Sequence, residues 1–135
     1  MLNVNKKWSL PEDKLVLPLA MVIGLADFCL QTFLRYRGWG VPNNGVSFGM
    51  FSNLGIWLQF FLVLVFLSIA FFLLAGHKKI WVSLLVILIG GSVNLGQRLV
   101  FGNVWDYIKI PLMPFTNNLS DILIFLGVVI NIYGK

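Results

Sequence analysis

The chain has 135 residues, enough for one domain, of which 59% are hydrophobic and only 11% charged, with a mean hydropathy of +0.88. A soluble domain is typically about 45–50% apolar and about 25% charged, so this composition points to an integral membrane protein. Ten basic residues against five acidic ones give a net charge of +5, but no basic cluster exceeds two in a row, and a nucleic-acid partner, which requires a basic patch or stripe, is not expected.

Four apolar segments follow in chain order. The first, 15–34, "LVLPLAMVIGLADFCLQTFL", is too long for the core of a cleaved signal peptide and has no small-residue cleavage site after it, so it reads as a retained membrane helix. It carries Asp27 and the single cysteine, Cys29, which excludes a disulfide framework. The second segment is 55–75 and the third 80–101, joined by the tight turn "GHKK". His77 in that turn is the single histidine and sits beside Lys78 and Lys79. It reads as a solvated loop residue, which sets aside mechanisms that need a histidine base. The fourth segment, 119–133, is short. The expected architecture is an all-α bundle of four transmembrane helices, forming one domain over 1–135, with outward-facing loops and short strands.

Lysine and arginine set the orientation. Lys6, Lys7, Lys14, Lys78, Lys79 and Lys135 fall on one side, and Arg35, Arg37, Arg98 and Lys109 on the other. The richer side is expected to be cytoplasmic, with both termini inside. The outward connections, 35–54 and 102–118, contain Trp39, Trp105 and Tyr107, rings of the kind found at membrane interfaces. With Lys14, Lys79 and Lys135 at the inner boundary, a rise of about 1.5 Å per residue puts Asp27 about 20 Å up, Gln97 about 27 Å and Asp121 about 21 Å. Three helices thus bring polar groups to the outer half of the membrane.

A carboxylate inside a span costs several kcal/mol unless paired or wet, and marks a functional site by default. Asn94, Gln97 and Asn118 also suit interhelical hydrogen bonding, and Gly90 and Gly91 suit close helix packing. In "FTNNLSD", 115–121, Asn118 or Ser120 is placed to cap the last helix. Asp121 then falls in the first turn, where free N–H groups and the dipole favour negative charge.

These tracts resemble signal peptidase II, the lipoprotein signal peptidase family. "NNGVSFG" at 43–49 is similar to its N-x-G-x-x-F tract, and "GGSVNLGQR" at 90–98 to its glycine-rich tract ending N-x-x-D-R. "GNVWDYI" at 102–108 resembles G-x-V-x-D-F/Y, and "FTNNLSD" resembles F-N-x-A-D. Asp27 matches the aspartate of D-x-x-x-K. The resemblance covers nearly the whole chain in order and spacing. It implies a multi-pass aspartic protease of the bacterial cytoplasmic (inner) membrane, with its site near the outer face and no metal or cofactor. Its partners would be membrane lipids and prolipoprotein precursors carrying a diacylglyceryl-modified cysteine, whose signal peptides it cleaves as a monomer. On this mapping the catalytic positions are Gln97 and Asp121. Asn94, Asn118 and Arg98 support them, Asn43 and Gly45 form a substrate-facing loop, and Asp106 and Asp27 complete the pattern.

Two departures stand out. Gln97 occupies the position of one dyad aspartate, and Gln31 that of the lysine in D-x-x-x-K. A glutamine cannot take a proton at neutral pH, so impaired activity is expected, and Gln97→Asp is expected to raise it. Asp106 is the remaining candidate for a second carboxylate, although it has its own place in the pattern. Two other readings are a catalytically inactive homologue that binds lipoprotein precursors, and a small four-helix transporter using Asp27. A transporter has no use for the polar tracts at 43–48, 94–98 and 118–121.

Overall fold

The computed structural model describes residues 13–45, 50–75, 81–112 and 114–133. The "GHKK" turn, the first twelve residues and positions 46–49 of the N-x-G tract lie outside that set. Helix α1 spans Asp13–Arg37, α2 Ile56–Leu74, α3 Trp81–Phe101 and α4 Leu119–Tyr133. Strand β1 (Val41–Asn43) follows α1, while β2 (Val104–Asp106), β3 (Ile108–Lys109) and β4 (Thr116–Asn117) connect α3 to α4. The chain is therefore mostly helical, as expected, with its short strands confined to one end.

Local chemistry fixes the helix ends. Gly38, at φ +70°, closes α1. Its N–H donates to the Arg35 carbonyl at 3.1 Å, and the Trp39 N–H donates to the Leu34 carbonyl at 3.0 Å. That pair of bonds is a Schellman cap, which satisfies carbonyls the helix would leave open. Gly102, at φ +81°, ends α3, with its N–H on the Arg98 carbonyl at 2.8 Å. Both turns send the chain into strand. β1 then pairs antiparallel with β2, Val41 opposite Asp106 and Asn43 opposite Val104. β3 pairs with β4, Ile108 opposite Asn117.

Helices over Lys14–Arg37, Ile56–Leu73 and Trp81–Phe101 are long and apolar enough to cross a membrane. α4 is apolar but has only 15 residues, about 22 Å against a hydrocarbon core of about 30 Å. α3 is the central helix, packed against α4, α1 and α2. Its buried residues, Ser83, Val86, Gly90, Val93, Asn94, Gln97 and Arg98, recur every three or four positions, the period of one helix face. Apart from Ser83 the lower part of the stripe is apolar, with Val86 packed with Ala20 and Leu123 in a small core. The upper part is polar. Large apolar side chains such as Phe60, Phe61, Leu67 and Phe71 are exposed on α2, as suits a helix in lipid.

Glycines set the approach of α3 to α4. A Cβ on Gly90 would lie 2.6 Å from the Ser120 carbonyl oxygen, and one on Gly127 would lie 2.9 Å from the Ser83 carbonyl oxygen. Gly91 differs from the expectation of a packing glycine. A Cβ there meets nothing within 4 Å, because the residue opens on a groove instead.

Candidate active site

Only three acidic residues lie beyond position 13, namely Asp27, Asp106 and Asp121. The fold gathers all three into one hydrogen-bonded network at the strand end of the bundle. Asn118 organises α4. Its side-chain oxygen accepts from the Asp121 N–H at 2.9 Å, while Asp121 Oδ2 accepts from the Asn118 N–H at 3.3 Å. This reciprocal capping box fixes the backbone of the first turn and the rotamer of Asp121 together. Of the two capping candidates, Asn118 is the one used.

The Asn118 side chain also donates to Asp106 Oδ1 at 2.8 Å, and Asn43 donates to Asp106 Oδ2 at 2.9 Å. Asn94, from α3, donates to Asp121 Oδ1 at 2.8 Å. Asp106 and Asp121 are thus joined through one asparagine, each with a second asparagine on its other oxygen. Arg98 is buried and lies close enough to interact electrostatically with both carboxylates. Its guanidinium is anchored on the backbone carbonyls of Gly45 and Asn94. Gly45 is held in turn by the Asn43 side-chain oxygen, 2.9 Å from its N–H. Burial pushes the Asp106 carboxyl above its ordinary range, against the opposing effects of Asn43, Asn118 and Arg98.

Gln97 is also fully buried but faces elsewhere. Its amide N–H groups donate to the Phe28 carbonyl and to Thr32 Oγ1, both at 3.1 Å, and its oxygen accepts from Arg35 at 3.2 Å. From Asn94 to Gln97 the helix turns about 300° and rises about 4.5 Å. That rotation carries the side chain off the flank facing α4 and onto the flank facing α1. Asn94 and Arg98, four residues apart, stay together on the carboxylate side. The expected face-to-face pairing of Gln97 with Asp121 is therefore absent, and the residue meeting Asp121 from α3 is Asn94.

Asp27 is fully buried and saturated. Its oxygens accept from the Ser120 N–H at 2.9 Å and the Ser120 hydroxyl, from Gln31 at 2.8 Å and from the Tyr107 hydroxyl at 2.6 Å. Tyr107, read from the sequence as an interfacial ring, turns its hydroxyl inward instead. These donors tie α1 to the first turn of α4 and to the residue after β2. Sequence reasoning also missed Arg35. It donates to the Asn103 side-chain oxygen at 2.6 Å and to its backbone oxygen at 3.0 Å, and lies over the rings of Phe101 and Trp105. Its only sequence signal was a charge in the last turn of α1.

Two cavities flank the carboxylates. One, of about 520 Å³, is lined by Asp106, Asn43, Gly45, Ser52, Lys109 and Thr116 among others, on the strand side. The other, of about 320 Å³, runs between α2, α3 and α4. Apolar side chains such as Phe61, Val65 and Ile87 line it, and Asn94, Arg98 and Asp121 stand in its wall. Asp27 lines neither cavity. Among the described residues no group of three or more His, Cys, Asp or Glu side chains is placed to hold a metal ion.

A solved structure described as a bacterial membrane enzyme, determined by the in meso method, superposes with a TM-score of 0.71 at 16% identity. The match covers 89% of this chain and 84% of that one, so the fold is shared. The lipoprotein signal peptidase of Chlamydia trachomatis serovar D is 33% identical over 115 residues, 74% of this chain and 69% of that protein. Its counterpart in Chlamydia pneumoniae is 31% identical over 100 residues, 69% of this chain and 60% of that protein. The family model for signal peptidase (SPase) II matches residues 16–134, and the chain belongs to the signal peptidase II family.

Proposed function

We propose that this protein is an intramembrane aspartic endopeptidase whose working carboxylates are Asp106 and Asp121. The observation that carries the reading is their common attachment to Asn118, with each carboxylate opening on its own cavity. Two carboxyl groups sharing a site do not both ionise readily, so one keeps its proton. The ionised member takes a proton from water as the oxygen attacks the scissile carbonyl. The protonated member donates to the carbonyl oxygen, and the pair then protonates the leaving amine. Arg98 offsets the charge of the pair, while the three asparagines hold the carboxylates without titrating.

The cavities suit a peptide that is apolar on one side of the cut and polar on the other. The groove between α2, α3 and α4 accommodates the hydrophobic segment of a signal peptide. The strand-side cavity accommodates the chain beyond it, with lipid-modified cysteine at the junction. In this reading the substrate is a prolipoprotein carrying a diacylglyceryl cysteine, and the enzyme acts as a monomer. All four helices span the bacterial inner membrane, with both termini cytoplasmic and the site near the outer face. Gln97 then takes no part in proton transfer, and its amide does not imply lost activity.

The test is cleavage of a lipidated prolipoprotein peptide by the purified protein in micelles, beside the same peptide without its lipid. Cleavage confined to the lipidated peptide, and lost in Asp106→Asn and in Asp121→Asn, is the expected result. Cleavage that survives either substitution removes that residue from the dyad.

A further inference from the structure

Three residues of α1 spaced by four meet three residues around β2 spaced by two, in antiparallel order. The Tyr107 hydroxyl donates to Asp27 at 2.6 Å, and the Trp105 N–H donates to Gln31 Oε1 at 3.2 Å. Arg35 donates to the side-chain oxygen of Asn103 at 2.6 Å and to its backbone oxygen at 3.0 Å. The two periods match. Four helical residues rise about 6 Å and two strand residues about 6.6–6.8 Å, so a helix stripe and an extended strand stay in register over three rungs. The Arg35 rung is braced further. Its guanidinium lies 4.5 Å from the Phe101 ring centre and 5.1 Å from that of Trp105, and also reaches Gln97 Oε1 at 3.2 Å.

Resting on the reading of Asp106 as a working carboxylate, we propose that this helix-to-strand ladder sets the position of Asp106, with Arg35 and Gln31 as its positioning residues. β2 has three residues and, among the described residues, its one strand partner is the equally short β1, and an isolated two-stranded pairing is marginal. The ladder supplies what the pairing lacks. Side chains alternate along a strand, so rungs at 103, 105 and 107 leave Val104 and Asp106 on the other face. Val104 is buried, and Asp106 meets Asn43 and Asn118.

Gln31 suits its rung because one amide does two jobs. Its N–H donates to Asp27 while its oxygen accepts from Trp105. A lysine has three donors and no acceptor, so it cannot hold the strand N–H. Gln31 is therefore a working part of this chain and not a vestige of a lost lysine.

The experiment compares Arg35→Met, Arg35→Lys and Gln31→Lys with the parent, as full chains in detergent micelles, on a fluorogenic lipidated peptide. Misplacement by about 1 Å costs on the order of 10²-fold, so kcat is expected to fall between about 10-fold and about 10²-fold. KM should stay within about twofold, since ground-state binding is untouched. Arg35→Lys, with charge but no fork, recovers only part of the loss. A second readout needs no turnover. The Asp106 carboxyl band, assigned by its loss in Asp106→Asn, is titrated by infrared difference spectroscopy. Its surroundings carry Arg98, Asp27, Asp121, Tyr107 and Lys109, all unchanged in these variants. In Arg35→Met the band should titrate at higher pH, because Asp106 drifts from donors that favour its ionised form.

Unchanged kcat and an unmoved band in a folded variant overturn the ladder, as does a rise in KM alone. A band moved by Arg35→Met, where the parent itself cleaves nothing, upholds the ladder and overturns the protease reading. Where Arg35→Met does not fold, Asn103→Ala removes one acceptor and keeps the stacked guanidinium. It should act in the same direction, and an unmoved band there overturns the ladder.

Discussion

Asn118 donates its side-chain N–H to Asp106 at 2.8 Å from within the capping box that holds Asp121. One residue therefore terminates a loop, starts α4 and spaces two carboxylates. Replacing it by alanine removes a helix cap, worth about 1 kcal/mol, and the side-chain donor on Asp106, while the backbone N–H that meets Asp121 stays. The expected outcome for Asn118→Ala is a modest fall in melting temperature with a much larger fall in kcat, on the order of 10²-fold or more. Differential scanning fluorimetry and the cleavage assay check the two parts. A fall in stability with kcat intact would assign Asn118 to folding alone.

Asp106 predicts a pH dependence of stability. Burial raises its pKa above the ordinary carboxylate value of 3.8. Between that value and its own, the folded chain holds a proton that the unfolded chain has lost. Stability therefore falls as pH rises through this window and levels off above it. Asp106→Asn removes the dependence. Thermal unfolding of parent and variant across the acidic range should show their difference shifting in favour of the variant as pH rises. A parallel pair of curves would mean that Asp106 is ionised as readily in the fold as in the free chain.

Glycines 90 and 91 are neighbours with opposite expected effects. Gly90→Ala drives a Cβ against the Ser120 carbonyl and Ile124, parting α3 from α4 beside Asp27 and Asp121. Overpacking of this kind costs about 1–3 kcal/mol, and activity should fall with stability. Gly91→Ala meets no atom within 4 Å but projects into the groove beside Asn94. Its melting temperature should hold while KM for a lipidated peptide rises. Similar melting temperatures for the two variants would show that α3 and α4 are free to re-pack.

Much of this arrangement was legible in the chain because apolar runs and breaks mark membrane helices plainly. The helix bounds at 81–101 and 119–133 fall within a residue of the expected spans, and "FTNNLSD" announced its cap. The family motifs brought Asn43, Asn94, Arg98, Asp106, Asn118 and Asp121 onto one list. What linear spacing hides is rotation. Gln97 lies three residues from Asn94 and one from Arg98, yet both of those face the carboxylates and it does not. The partners of Arg35 and Tyr107 were hidden too, because strand residues 103–107 and α1 meet only in the folded chain.

That rotation reverses the expectation for Gln97→Asp. From the sequence, the aspartate restores a missing acid. In the fold, the two N–H groups of Gln97 donate to Thr32 Oγ1 and to the Phe28 carbonyl, which the Thr32 hydroxyl also meets at 2.8 Å, and an aspartate has no amide to give them. Its shorter carboxylate would stand against a backbone oxygen in a site with no exposure. An unsatisfied buried polar group costs about 1–3 kcal/mol. Arg35, already on the Gln97 oxygen at 3.2 Å, supplies one favourable contact in return. The net expectation is a less stable protein with no gain in cleavage. Adding Gln31→Lys should make matters worse, because the Trp105 N–H then loses its acceptor. Gln97→Glu is the informative companion, since it keeps the length and Arg35 while exchanging the amide for a carboxylate. If either acidic variant cleaved faster than the parent at equal folded fraction, position 97 would take part in the chemistry after all, and the pairing of Asp106 with Asp121 would have to be abandoned.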